Sequence, residues 1–272
     1  MKMARILPLE MNEIDQVCRL LRDSMPDKEY SRTIFACSGY ADYLRAACHC
    51  GDRAATLLMG AYDGDRLVGY AEWRRLEQML VLNNLTVETD SRSRGVGGRL
   101  AAYGEELAWR EGVDRMALDV FAWNTRAYDW YVRLGFAESG RTYWYEGELG
   151  AGTSDGGGIP ADGDYIIDDY PMAEAHHAAY GFSTLKIRTK LGTAQVGRLG
   201  SRYYRVQAQS EDWALAGCLD CALRQLDANR KLLVLSSDAT LPERYDRLTL
   251  ISESVRMTKR LVSKEVAHGG KL

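Results

Sequence analysis

A segment with three glycines, preceded by an apolar run and followed by a helical pattern, constrains the fold of this chain most. Residues 87–98 read V-E-T-D-S-R-S-R-G-V-G-G. The run 79–87 predicts a strand, and 99–111, closed by Gly112, predicts a helix. Backbone N–H groups at a helix N-terminus are unpaired and partly positive, and glycine lets a bound group approach the backbone closely. The segment therefore predicts a phosphate-binding turn at a strand–turn–helix junction.

The glycine spacing of this turn differs from that of other nucleotide-binding loops. It lacks the Gly-Lys-Ser/Thr of a P-loop, and Gly95-Val96-Gly97 lacks the third glycine of a dinucleotide-binding fingerprint. Arg92, Arg94 and Arg99 add positive charge around it. A solvated turn that uses glycine only for its geometry fits the same residues, so the turn alone leaves both interpretations open.

Hydrophobic periodicity in the first 149 residues alternates between the strand and helix periods. The predicted order is strand 4–8, helices 11–25 and 40–48, strands 56–62, 67–73 and 79–87, helix 99–111, strand 115–121, helix 124–134 and strand 136–148. Asp63-Gly64 is a hairpin signal between two of these strands. We therefore expect an α/β protein with a mixed sheet flanked by helices (α+β).

A glycine-rich stretch divides the chain in two. Residues 150–164 read G-A-G-T-S-D-G-G-G-I-P-A-D-G-D and cannot bury apolar surface, so we predict a linker there. This places one domain at 1–149 and a smaller one at 165–272. In the second, the pattern predicts a hairpin of 184–190 with 192–198, strand 203–209, helix 211–228, strand 231–236, and a hairpin of 248–252 with 255–261.

Composition excludes several classes of protein. With 35 basic and 38 acidic residues the net charge is −3, which argues against a nucleic-acid partner. No apolar run approaches the roughly 18 residues that span a bilayer, and no signal-peptide pattern precedes Pro8, so we expect no membrane association and a cytoplasmic location. Cys48-His49-Cys50 and Cys218-Leu219-Asp220-Cys221 could ligate zinc, but buried reduced thiols are the more usual outcome, and we expect no metal.

A second motif lies downstream of the turn. It reads Asn124-x-x-Ala127-x-x-x-Tyr131-x-x-x-Gly135-Phe136, and it follows the Arg92-x-x-Gly95-x-Gly97 of the turn. Together they resemble the two main motifs of the GNAT superfamily of acyl-CoA-dependent N-acyltransferases. The resemblance covers about residues 3–149 and implies the GNAT fold, with acetyl-CoA as co-substrate.

The resemblance also implies roles for individual residues. A backbone N–H of 85–87 would polarise the thioester, and the amides of the turn would hold the pyrophosphate. Tyr131 would protonate the departing thiolate, although a packing role fits its helical position equally. The implied acetyl-CoA-binding residues are Leu85, Thr86, Val87, Arg92, Ser93, Arg94, Gly95, Val96, Gly97, Gly98 and Asn124.

The general base is not apparent from the sequence. The strand V-L-N-N-L (81–85) carries no carboxylate, and Glu72 and Glu77 are the nearest candidates. We predict Glu72 as the base, with ordered water held by Asn83 or by backbone carbonyls as an equally open alternative.

The second half resembles a degenerate GNAT-like domain without a phosphate loop. Residues 208–213 read A-Q-S-E-D-W, with no glycine and with Glu211 and Asp212 where phosphate would bind. Because negative charge there would repel a diphosphate, we expect this half not to bind coenzyme A. It would form one wall of the substrate cleft, extend the sheet or provide a homodimer surface.

The sequence thus predicts an N-acetyltransferase that transfers an acetyl group from acetyl-CoA to a primary amine by direct attack. The acceptor would be a small-molecule or peptide amine. The alternative is a catalytically silent acetyl-CoA-binding sensor or scaffold module, which the missing carboxylate keeps open.

Overall fold

The computed structural model of the chain describes residues 4–150, 165–208 and 213–261. Most of the predicted linker 150–164 lies outside the described residues. Glu211 and Asp212, which were expected to repel a diphosphate, lie outside them as well. The strands are β1 (Arg5–Pro8), β2 (Thr56–Asp63), β3 (Arg66–Leu76), β4 (Met79–Val87), β5 (Arg115–Phe121), β6 (Ala137–Glu148), β7 (Ile166–Asp168), β8 (Phe182–Thr189), β9 (Gly192–Leu199), β10 (Tyr203–Ala208), β11 (Lys231–Ser236) and β12 (Thr249–Arg260).

The helices lie between these strands. They are α1 (Ile14–Arg22), α2 (Asp27–Tyr30), α3 (Tyr40–Cys50), α4 (Val96–Arg110), α5 (Thr125–Arg133), α6 (Tyr170–Tyr180) and α7 (Trp213–Asp227). Short 3₁₀ turns occur at Met11–Glu13, Ile34–Ala36, Gly51–Arg53, Thr89–Ser91 and Glu243–Tyr245. No helix in the described ranges is both long and apolar enough to cross a membrane.

All of these strands join one mixed sheet, in the order β1-β2-β3-β4-β5-β12-β6-β11-β10-β9-β8-β7. From either edge inward, the sheet has five strands of one half, and the sixth strand is the last strand of the other half. Each half contains one parallel pair, β4 with β5 and β10 with β11. The α/β mixed-sheet fold predicted from the periodicity is therefore confirmed.

The two halves exchange their last strands. β12 pairs with β5, and β6 pairs with β11, while β6 and β12 pair with each other at the centre. Val255, Met257 and Leu261 consequently belong to the core of the first half, and Tyr145 belongs to the core of the second. The boundaries 1–149 and 165–272 stay a prediction about domains, but each core includes one strand from the other half.

Most predicted elements of the first half lie within a few residues of their observed positions. The strands at 79–87 and 115–121 have the expected bounds, and Gly64 adopts a positive φ of 65° in the predicted hairpin turn. The helix predicted from residue 99 begins at Val96, because Gly95 in the left-handed conformation ends the turn three residues earlier.

The second half contains one error and two omissions. The predicted hairpin of 248–252 with 255–261 is wrong, because a single strand, β12, covers both segments. Its register against β6 shifts between Leu250 and Ser252, so the irregularity is a bulge and not a turn. The sequence reading also missed β7 and α6, the helix that carries His176 and His177.

Candidate functional site

The parallel strands β4 and β5 separate soon after they meet. They pair only at Leu80–Leu82 with Met116–Leu118, and no strand in the described part of the chain pairs with this edge of β4 beyond Leu82. The other edge of β4 stays bonded to β3 up to Val87. Backbone groups of residues 83–87 on the β5 side are therefore available to a bound molecule.

The glycine-rich turn closes one end of this opening. After the 3₁₀ turn Thr89–Ser91, Ser93 and Gly95 take positive φ values of 62° and 80°, and α4 begins at Val96. The Arg92 Nε donates to the Val87 carbonyl at 3.0 Å, which ties the turn to the end of β4. The turn thus presents the N-terminus of a 15-residue helix toward the opening.

Helix α5 forms the opposite wall. The Asn124 side chain caps it by accepting from the Ala127 N–H at 3.2 Å. A Cβ built on Gly97 would lie 3.4 Å from the ring of Trp130 and 3.7 Å from Leu85. A side chain larger than a methyl group at this position would therefore occupy the space between α4 and α5.

Together these elements enclose a cleft of about 510 Å³. Its walls include every residue predicted to bind acetyl-CoA except Arg94. Sequence reasoning missed part of the wall: Ser24, Ser91, Trp123, Arg126, Ala127, Trp130 and Arg133 also line it. The helical spacing of 123, 126, 127, 130 and 133 is a signal that could have identified them.

The charge of the lining suits an anionic ligand. Arg92, Arg126 and Arg133 lie on the walls, and no acidic side chain is among the lining residues in the described part of the chain. Guanidinium groups and helix N-terminal amides both favour phosphate oxygens. The cleft therefore has the shape and charge needed for a diphosphate attached to a long arm.

Tyr131 lies behind the cleft and does not line it. Its side chain is buried between Trp130 and Phe136, with ring centroids 4.9 and 5.9 Å away. Burial raises the pKa of its phenol above the ordinary 10, so the group stays protonated at neutral pH. The general-acid role of Tyr131 stays a prediction.

Glu72 lies in a buried polar cluster near the point where β4 leaves β5. Its carboxylate accepts from Asn83 Nδ2 at 2.9 Å, from the Tyr70 hydroxyl at 3.3 Å and from the Tyr40 hydroxyl at 3.5 Å. Only 5% of Glu72 is exposed, whereas Asn83 is exposed. Glu72 does not line the cleft, and its role as the base stays a prediction.

Two opposing effects act on the pKa of Glu72. Burial raises the pKa above the ordinary 4.5, whereas the hydrogen bonds from Asn83, Tyr70 and Tyr40 lower it, and burial dominates. The same burial, together with the Glu72 charge, raises the pKa of both tyrosines well above 10, so they act as neutral donors.

A row of aromatic rings begins at the cleft and crosses the sheet. Trp123 lines the cleft and is 42% exposed. It stacks on Phe121 with centroids 6.0 Å apart, and Phe121 contacts Trp144 at 5.3 Å. The Trp144 indole donates to Ser254 Oγ at 3.1 Å, so the row connects β5, β12 and β6.

The corresponding parallel pair of the second half does not separate. β10 and β11 pair along their whole length, Tyr203–Ala208 with Lys231–Ser236. Tyr204, Val206 and Leu232 pack in the core beneath this pair. Residues 209–212, where the first half has its glycine turn, lie outside the described ranges.

The cysteine segments form no metal centre in the described residues. Cys48 and Cys50 belong to α3, and Cys18, Cys37, Cys48, Cys50 and Cys218 are free. No group of three or more His, Cys, Asp or Glu side chains in the described ranges could hold a metal ion.

Comparison with protein families identified one match. Residues 14–136 match the model of the acetyltransferase (GNAT) family. The sequence matched none of the curated proteins with which it was compared.

Several solved structures share the fold over nearly the whole chain. A tandem GNAT protein from the clavulanic acid biosynthesis pathway aligns with a TM-score of 0.67 and 15% identity, over 96% of this chain and 100% of its own. A GCN5-related N-acetyltransferase from Sphaerobacter thermophilus aligns with a TM-score of 0.60 and 15% identity, over 94% and 95%. A putative acetyltransferase from Pyrococcus horikoshii has a TM-score of 0.60 and 14% identity, over 96% and 91%. At these identities the likeness shows a tandem GNAT fold.

Proposed function

Residues 14–136 form an acetyltransferase domain of the GNAT family, and from this premise we propose that the protein transfers an acetyl group from acetyl-CoA to a primary amine. The observation that carries the proposal is the early separation of β4 and β5 directly beside the glycine-rich turn. Separation exposes the edge of β4, and the turn adds an anion site at one end of it.

The residues of the cleft fit coenzyme A. Gly95 allows the positive φ of the turn, and a side chain at Gly97 would meet Trp130, so the first glycine preserves the shape of the turn and the second the space beside it. The turn amides and Arg92 would hold the pyrophosphate, and residues 85–87 and Asn124 would contact the pantetheine arm. When bound, acetyl-CoA supplies the acyl group as a thioester.

The proposed reaction is direct attack of the amine nitrogen on the thioester carbonyl. A carbon–nitrogen bond forms, the carbon–sulfur bond breaks, and the sulfur leaves as a thiolate. A backbone N–H from the exposed edge of β4 would donate to the carbonyl oxygen as negative charge develops on it. The nitrogen loses its surplus proton to solvent as the amide forms, and Tyr131, protonated at neutral pH, would give its proton to the sulfur and regain one from solvent.

The acceptor is proposed to be a small-molecule or peptide amine. Glu72 is buried behind the exposed Asn83 beside the opening, and its carboxyl forms no salt bridge within the described ranges. In its ionised form Glu72 would favour the approach of a cationic amine, which supports this acceptor class.

A binding and turnover experiment tests the proposal. Calorimetric titration of the full chain with acetyl-CoA should give one molecule per chain, and a thiol-release assay with a panel of primary amines should detect free coenzyme A. Absence of acetyl-CoA binding would contradict the proposal.

The same experiment separates the alternative function. Tight binding without thiol release from any amine would favour a silent acetyl-CoA-binding sensor or scaffold module. Two acetyl-CoA molecules per chain would contradict the expectation that the second half does not bind it.

A further inference from the structure

Asn83 occupies an unusual position in the sheet. The register of β3 against β4 shifts there, because Glu72 pairs with Asn84 and Trp73 pairs with Leu82, which leaves Asn83 as an extra residue. It is also the first residue of β4 after the pairing with β5 ends at Leu82. A bulge therefore places an exposed amide side chain at the start of the opening.

The partners of Asn83 fix which way its amide faces. Its Nδ2 donates to Glu72 Oε1 at 2.9 Å, and a carboxylate can only accept such a bond. Tyr70 and Tyr40 donate to the other oxygen of Glu72 and hold the carboxylate in place. The side-chain carbonyl oxygen of Asn83 is consequently left to accept a bond from a molecule outside the cluster.

On the basis of the proposed acetyl transfer, we infer that Asn83 positions the acceptor amine. Its Oδ1 accepts an N–H bond from the incoming nitrogen, whose lone pair then attacks the thioester. Glu72 is a positioning residue that acts through Asn83, and it does not take the proton itself. With 5% of Glu72 exposed and three donors bound to it, its carboxylate has little access to substrate.

This arrangement determines where the amine proton goes. An amide oxygen is not protonated at neutral pH, so the acceptor must lose one proton to water before it attacks. Acceptors with a lower amine pKa, such as α-amino groups, should therefore react at lower pH than alkyl amines.

Several titratable and charged groups surround Glu72. They are Tyr40 and Tyr43 from α3, with Tyr70 and Arg74 from β3, and Cys18 of α1 and Cys48 of α3 act on these tyrosines.

A pH profile with two amines tests this inference on the unmodified protein. An α-amine with a pKa of about 8 and an alkyl amine with a pKa of about 10.4 are compared. For each, log kcat/KM should rise with unit slope up to the pKa of that amine, so the two midpoints should differ. A common midpoint for both amines would indicate a base on the protein and would overturn the inference.

Variants of Glu72 and Asn83 provide the second measurement. Glu72→Gln keeps an oxygen that can accept from Asn83 Nδ2, so kcat/KM should stay within about threefold and the pH profile should be unchanged. Asn83→Ala and Glu72→Ala should lower kcat/KM for the amine about tenfold, with the acetyl-CoA affinity unchanged. That unchanged affinity also shows that each variant is folded.

The outcomes separate this inference from the proposed function. A loss of 100-fold or more in Glu72→Gln, with a flattened pH profile, would identify Glu72 as the base and overturn only the inference. Absence of turnover with every amine in the unmodified protein would overturn the proposed function and the inference with it.

Discussion

The two halves of the sheet are built from the same strand order, but only one of them opens. In the first half, β4 and β5 pair at three positions and then separate. In the second, β10 and β11 pair at six positions, along the full length of both strands. A bound molecule needs unpaired backbone groups, and a fully paired strand has none to offer. On this basis we expect the proposed acetyl-CoA site in the first half and none in the described part of the second.

The largest expected effect comes from filling the open half. In Gly97→Leu the side chain would enter the space between Trp130 and Leu85, because even a Cβ lies 3.4 Å from the Trp130 ring. We expect acetyl-CoA affinity to fall about 100-fold, measured by calorimetric titration.

Gly140→Leu is the matched control for this substitution. Gly140 lies on β6 away from the cleft, and a Cβ there meets nothing within 4 Å. Its acetyl-CoA affinity should equal that of the unmodified protein. Equal affinity in Gly97→Leu would mean that the cleft is not the binding site.

The strand exchange predicts the next effect. Met257 lies on β12, at the C-terminal end of the chain, but is fully buried in the core of the first half. Met257→Ala should lower the free energy of unfolding by about 2–5 kcal/mol, because it removes buried volume that its neighbours cannot refill. Chemical denaturation followed by fluorescence measures this change.

Thr258→Ala tests the same strand on its other face. Thr258 is only partly buried, so its truncation should cost about 0.5 kcal/mol. A cost below 1 kcal/mol for Met257→Ala as well would argue against the placement of β12 beside β5.

A smaller effect is expected at the aromatic row, which distinguishes the two halves further. Trp123 follows β5 at the cleft, whereas β11 ends at Ser236, whose Oγ accepts from the Asp238 N–H. Because Trp123 is 42% exposed, Trp123→Ala should barely change stability. It should weaken acetyl-CoA binding about three- to tenfold, the usual contribution of one aromatic contact. An unchanged affinity would mean that the aromatic row does not contact acetyl-CoA and either contacts the acceptor or serves only in packing.

Local signals in the sequence were sufficient for most elements of the first half and for ten of the residues that line the cleft. The bounds of 79–87 and 231–236 follow from apolar runs between turn residues, and Gly95 marks a conformation that other residues rarely adopt. These features depend on neighbours within a few positions, so they can be predicted from the sequence.

Long-range pairing could not be predicted in the same way. The pairing of β12 with β5 and β6 joins strands more than 100 residues apart in the chain, and no local pattern specifies that partner choice. Helical spacing identified the inner side of α5 but not its exact rotation. Trp130 lines the cleft, whereas Tyr131, whose role as general acid stays a prediction, packs behind it.

The smallest expected effect concerns acid stability, and it arises in the closed half. His177 on α6 has a pKa below the ordinary 6.5, because burial, Arg198 and Arg230 disfavour its charged form, against a smaller opposite effect of Glu174. Below pH 6.5 the unfolded chain therefore binds the proton more readily than the folded chain. Stability from this group is fully present above pH 6.5 and is lost as the pH falls toward the folded pKa. His177→Gln should flatten the decrease in Tm between pH 7 and 5.5, and an unchanged slope would mean that this histidine is not the group responsible.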